Sequence, residues 1–211
     1  NGEECHNEWE ITFEEIHRNA AIAQAIKKYI TFTDDFEFLE NKGIKILIAI
    51  SRFWEQRVNF SSLLNKYVIL GVTGPNEYEN NIDNNWYTNY SAKWCLEYTI
   101  YQLSEITKRS KRSNEFLYKE NGLSRNEISS WKKIIENIHL PYSKDLNVFI
   151  QNDGFLNKDL KPINNIPQSQ RPINQNWSWD RILRSPYIKQ ADVLQGFYFF
   201  EDDFTKTELV S

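Results

Sequence analysis

Glu77 sits in "GVTGPNEYENNIDNNWYTNY", residues 71–90, a stretch that supplies what a general acid needs. Such an acid must be held rigidly, in surroundings that keep it protonated near neutral pH. Pro75 fixes its own φ and restrains Gly74 before it, which stiffens the turn. Tyr78, Trp86 and Tyr87 are the candidates for apolar walls, which disfavour an ionised carboxylate. The same residues also fit a plain surface turn that happens to carry an acid. A second cluster, His6, Asn7, Glu8, Trp9 and Glu10, lies in "ECHNEWEITFEE". A ring beside amides and carboxylates suits a sugar, which stacks its apolar face on the ring and offers its hydroxyls to the polar groups. The alternative is an ordinary loop followed by Glu14 and Glu15, first-turn acids that favour a helix macrodipole. Lys189 and Gln190, in "KQADV", read as polar residues at the start of an apolar helix. They gain interest only if they face the cavity of Glu77. Metal binding is not expected, since His17 and His139 show no ligand spacing with His6 and Glu8. Nothing matches a phosphate-cradling glycine loop or a Ser-His-Asp arrangement.

The elements that must position these residues are helical. Phe13, Ile16, Ala20, Ala23, Ile26 and Ile30 recur in steps of three and four and predict a helix over 12–30. Asp34 or Asp35 can cap the next helix, which runs to about Val58. Its middle is apolar nearly all round, so deep burial is expected, and Gly43 blurs where it begins. "KYVILGV", 66–72, reads as a strand or extended segment. Asn84 or Asn85 can cap a helix from Trp86 to about Thr107, with a Tyr87, Tyr90, Trp94, Tyr98, Tyr101 stripe that reads first as core. Basic "KRSKRSN" suits a solvated helix end. Ser124 and Glu127 are spaced as a capping box. "PYSKDLNVFIQNDGF" looks extended, with a turn at Asp153-Gly154. Residues 157–176 form a long loop, of the kind that is usually functional or disordered. "WSWDRILRS" is a short helix that Pro186 ends. The fold class is all-α with few short strands.

The chain has 211 residues, 40% of them hydrophobic and 26% charged, with a net charge of −4. One globular domain with a sizeable core follows. The acidic balance, with a pI near 5.5, argues against a nucleic-acid phosphate grip. No window is apolar enough for a membrane span, and no signal peptide is visible. Two isolated cysteines, Cys5 and Cys95, make neither a disulfide scaffold nor a metal site, which suits a reducing, cytoplasmic setting. The chain contains no Met, so an internal piece of a longer protein is expected.

Three segments resemble one family. "GVTGPNEYENNIDNNWYTNYSAKW" resembles the acid-bearing segment of glycoside hydrolase family 65. "ECHNEWEITFEEIHRN" is similar to the acceptor-side loop of those members that act on maltose. "KQADVL" resembles a later Lys-Gln segment. They occur in the family's order, from Glu4 to Leu194. The resemblance implies an (α/α)6 toroid, of which residues 1–211 are a central-to-late part, incomplete at both ends. It implies Glu77 as general acid, and Lys189 and Gln190 as residues that hold the glucose whose bond is cleaved. It places His6, Asn7 and Glu8 in the loop that shapes the acceptor subsite. Asn76 departs from the family, which often carries Asp there, and the family's phosphate-binding segment has no counterpart up to Ser211.

The implied reaction is an inverting phosphorolysis of maltose to β-glucose 1-phosphate and glucose. Inorganic phosphate is the co-substrate and neither metal nor organic cofactor takes part. The implied partners are a small disaccharide and phosphate, with no nucleic acid and no membrane, in a homodimer at full length. Kojibiose, nigerose or trehalose are the alternative disaccharides. A same-fold hydrolase would instead carry a second carboxylate to activate water. Made alone, the 211 residues are expected to be an inactive helical or carbohydrate-binding piece, with helix faces exposed that call for burial.

Overall fold

The computed structural model describes residues 11–110 and 113–205. Its helices are α1 Ile11–Glu14, α2 Arg18–Thr33, α3 Phe36–Phe38, α4 Ile44–Arg57, α5 Trp86–Ser110, α6 Asn114–Glu120, α7 Arg125–Asn137, α8 Ile173–Asn176, α9 Trp179–Leu183 and α10 Asp192–Phe199. Antiparallel hairpins pair β1 Asn59–Ser61 with β2 Lys66–Val68, and β3 Tyr142–Ser143 with β4 Val148–Phe149. Asn59 lies opposite Val68, and Tyr142 opposite Phe149. The described residues are thus all-α in class. They divide into two compact units, one of His17–Val68 with Asn89–His139, the other of the described residues up to Ile16, Ile69–Thr88 and those from Leu140 onward. No helix among them is long and apolar enough to cross a membrane.

The first unit is a helical core. α2 buries Ala20, Ala23 and Ile26, the face that the steps of three and four predict. The expected helix over 12–30 is nevertheless broken, and Phe13 is 72% exposed. The Glu14 carbonyl accepts the N–H groups of Ile16 and Thr73, so the helical ladder stops there and restarts at Arg18. Asp35 accepts the Phe38 N–H at 2.9 Å as the N-cap. From α3 the helical path continues through a π-helical turn, Leu39–Gly43, into α4. Gly43 is therefore interior, packed against Phe38, Leu39 and Ile26. α4 buries Ile44, Leu47, Ile48, Ser51 and Trp54, but Ile46 is exposed, so it is not covered all round as expected. The Ser51 hydroxyl donates to Thr99 Oγ1 at 2.8 Å, which satisfies a buried polar pair. Along α5, Tyr90, Trp94 and Tyr98 are core, while Tyr101 at the end of the stripe is exposed. α7 starts with the expected capping box of Ser124 and Glu127. Glu127 also accepts Arg52 Nε at 2.6 Å, and the Trp131 indole donates to Glu55 at 2.8 Å. Cys95 is fully buried, which pushes its thiol up to about 12, so it carries no thiolate chemistry at neutral pH.

The second unit is built around Trp86. Its ring packs on Phe149, Phe197 and Phe204 at centroid separations of 5.3, 5.5 and 6.2 Å. Tyr87 meets Phe199 and Phe200. The 157–176 loop is ordered by single 3-10 turns, Ile163–Asn165 and Gln168–Gln170. The Arg171 guanidinium holds them by donating to the carbonyls of Ile163 and Ile166 at 2.7 and 2.8 Å. Gly196 lets α10 touch Trp86, because a Cβ there would lie 2.3 Å from Cζ3 of the indole. Gly196→Ala should therefore destabilise the protein by about 1–3 kcal/mol, overpacking outweighing the gain in helix propensity. Urea unfolding monitored by Trp fluorescence would measure the loss.

Candidate functional site

The turn that carries Glu77 is a loop closed at its neck. Val72 and Ile82 exchange backbone hydrogen bonds at 2.8 and 2.9 Å. Gly71 at φ 62°, with Asn81 and Asn84 at φ 50° and 53°, bends the chain on either side. Glycine and asparagine are the residue types that adopt this left-handed region most readily. Glu14 clamps the loop from outside. Its Oε2 accepts the Thr73 hydroxyl and the Asn81 N–H, each at 2.6 Å. Glu14 is thus a cross-link and not merely a first-turn acid. The asparagines that crowd the segment turn and cap it. Asn85 Oδ1 accepts the Thr88 N–H at 2.9 Å as the cap of α5, and Asn84 Oδ1 accepts the Ile69 N–H at 3.1 Å.

At the tip, Glu77 Oε2 lies 2.7 Å from Lys189 Nζ, with the two side chains 34% and 44% exposed. The structure so brings together two of the residues singled out from the sequence. Gln190 lies beside Lys189, exposed. Both precede α10, in a bend ahead of its N-cap Ala191, and do not form its first turn as expected. The expected apolar walls are not what surrounds the acid. Trp86 and Tyr87 pack into the aromatic cluster, and Tyr78 turns edge-on to Trp179 at 6.2 Å. The partner of the carboxylate is an ammonium group. His6, Asn7 and Glu8 lie outside the described residues. No group of three or more His, Cys, Asp or Glu among the described residues could hold a metal ion.

Behind this pair lies a buried polar layer that the sequence reading passed over. Asp192 is 0% exposed. Its Oδ1 accepts the Asn76 N–H at 2.8 Å, and its Oδ2 accepts Asn85 Nδ2 at 2.7 Å. The Asp192 N–H in turn donates to Gln151 Oε1 at 3.2 Å. Asn76 Oδ1 accepts the backbone N–H of Lys189 at 2.7 Å, and its amide donates to Glu79 Oε2 at 3.2 Å. Glu79, also buried, is met by Lys158 Nζ at 2.5 Å and Gln151 Nε2 at 3.0 Å. Asn76 uses both ends of its amide, so Asp at that position would set a carboxylate against that of Glu79 and lose a donor. Gly74 must be glycine because a Cβ would come within 2.3 Å of Asp192 Oδ2 and 2.4 Å of Asn85 Nδ2. The only hint of this layer in the sequence is an acid at the head of an apolar helix, which reads as an ordinary first-turn carboxylate.

Burial pushes the Asp192 carboxyl up from 3.8 to about 7, with the charge of Glu79 adding to the rise and the donors from Asn85 and Asn76 opposing it. The folded protein therefore binds this proton more tightly than the unfolded chain. The stability contribution is full below 3.8 and is lost as pH rises through about 7. Urea midpoints should fall between pH 5 and pH 8, and Asp192→Asn, which cannot titrate, should flatten that part of the slope.

The whole chain, residues 1–211, matches the model of the glycosyl hydrolase family 65 central catalytic domain. It is 53% identical to a maltose phosphorylase of Bacillus subtilis over 207 residues, 98% of this chain and 26% of that protein. It is 38% identical to an α,α-trehalose phosphorylase of Thermoanaerobacter brockii over 209 residues, 99% of this chain and 27% of that protein. A solved structure named "Putative kojibiose phosphorylase from human microbiome" superposes with a TM-score of 0.78 at 29% identity, covering 91% of this chain and 26% of that one. The chain spans about a quarter of the length of these relatives.

Proposed function

Since the chain belongs to glycosyl hydrolase family 65, we propose that it carries the general acid of an inverting disaccharide phosphorylase acting on maltose. Its all-α fold is part of that family's (α/α)6 toroid. The two units are read as portions of a single catalytic domain within a longer, homodimeric, cytoplasmic enzyme. The observation that carries the reading is the match of the whole chain, 53% identical to a maltose phosphorylase, with Glu77 standing on a loop closed at its neck by the Val72–Ile82 bridge.

In the reaction, Glu77 Oε gives its proton to the interglycosidic oxygen as the bond to the anomeric carbon breaks. Inorganic phosphate attacks that carbon from the opposite face, through an oxocarbenium-like transition state, and inverts its configuration. The products are β-glucose 1-phosphate and glucose. Phosphate is itself the nucleophile, so no second carboxylate is needed to activate water, in contrast to an inverting hydrolase. Lys189 and Gln190 are assigned as the donors to the hydroxyls of the transferred glucose on the resemblance of their segment. His6, Asn7 and Glu8 are assigned to the acceptor-sugar side on the resemblance of their segment. Trehalose or kojibiose is the second reading of the substrate, favoured by the similarity to phosphorylases named for those sugars.

In the full-length enzyme, Glu77→Gln should lower phosphorolysis of maltose by about 10²–10⁴-fold, the usual worth of a general acid, with the thermal midpoint unchanged. Coupled release of glucose and β-glucose 1-phosphate would report it. Survival of activity within about tenfold would remove Glu77 from the role.

A further inference from the structure

Two chain segments more than a hundred residues apart carry the acid and its lysine, and neither holds the other in place through its exposed side chains alone. An exposed ion pair such as Glu77–Lys189 contributes little to stability and fixes little. What joins the segments is beneath them. The buried Asp192 carboxylate takes the N–H of Asn76, the residue next to Glu77, on one oxygen and the Asn85 amide on the other. The Asn76 side chain returns the link by accepting the N–H of Lys189. Gly74 leaves no room between the loop and this carboxylate. Asn85 cannot turn its amide to suit a different partner, because its Oδ1 is committed to the N–H and hydroxyl of Thr88.

We propose that Asp192 is a positioning residue for the proton transfer, a buried clasp that sets the Glu77 turn against the Lys189 bend. The proposal rests on the reading of Glu77 as general acid. Asp192 itself does not touch substrate; it acts on the backbone that bears the acid. A loosened clasp leaves Glu77 on its loop but displaces it relative to the interglycosidic oxygen, and displacements on the ångström scale cost about 10² in rate.

The test is leaving-group dependence in the full-length enzyme. α-Glucosyl fluoride reacts with phosphate at the same anomeric carbon, but fluoride departs without needing a proton. Asp192→Asn keeps the acceptor for the Asn76 N–H and turns a donor towards the Asn85 donor. It should lower kcat for maltose by about 10- to 100-fold while leaving α-glucosyl fluoride within about threefold. Adding Asn85→Asp, which restores an acceptor opposite the new amide and still caps Thr88 but gives up the 3.3 Å bond to the Gln151 carbonyl, should recover part of the loss on maltose. Gly74→Ala, whose Cβ pushes the carboxylate away, should give the same split and serves if Asp192→Asn does not fold. Equal loss on both substrates, no loss on either, or no recovery in the Asn85→Asp pair would overturn the proposal. Glu77→Gln is run alongside: if it too spares maltose, the acid assignment fails, and that result is separate from the behaviour of Asp192.

Discussion

A carboxylate without solvent contact is the constraint that organises the candidate site. Burying a charge is costly unless hydrogen bonds replace the lost water, and Asp192 is completely buried. The donors that replace the water come from the acid-bearing loop, through the Asn76 backbone and the Asn85 side chain. Each donor has a further duty. Asn85 caps α5 and Asn76 holds the Lys189 backbone, while Gly74, with no Cβ, lets the loop approach the carboxylate this closely. Removing either amide leaves a buried polar group unmatched, which costs more than the bond itself is worth. The candidate site is tied down from beneath, although its two visible residues are partly exposed.

The rest of that unit supports the same loop by ordinary means. Glu14 and the Val72–Ile82 bridge close its neck. Glu79, with Lys158 and Gln151 on its carboxylate, fills the polar layer below its tip. The Trp86 cluster supplies apolar burial to one side and fixes α10, whose first residue is Asp192. The rigidity attributed to Gly74-Pro75 is therefore mostly tertiary. Pro75 fixes one dihedral, whereas the loop is held by contacts at its neck, flank and base.

Features governed by short-range geometry were legible in the sequence. The Ser124–Glu127 capping box, the Asp35 and Asn85 caps, and the buried Ala20, Ala23, Ile26 face all stand where spacing put them. The misses occur where a distant segment takes over a local group. The helix over 12–30 breaks because Thr73 draws on the Glu14 carbonyl. Tyr101 and Ile46 continue apolar stripes yet are exposed, since periodicity tells which face a residue shares and not whether anything covers it. The apolar walls drawn around Glu77 failed for the same reason. Trp86 and Tyr87 follow it closely in the chain, but as residues of α5 they point into the aromatic cluster.

The sequence by itself determined the family, the all-α class, the helix caps and the identity of the candidate acid. These depend on residue types at fixed local spacing or on motifs in a fixed order. Only the tertiary structure decided what Glu77 faces and what holds it there. The bonds from Asp192 to Asn76 and Asn85 span 116 and 107 residues, and no local preference encodes a pairing at that range. The proton affinity of Asp192 was likewise beyond the sequence, because it is set by burial and by neighbours that packing alone brings together.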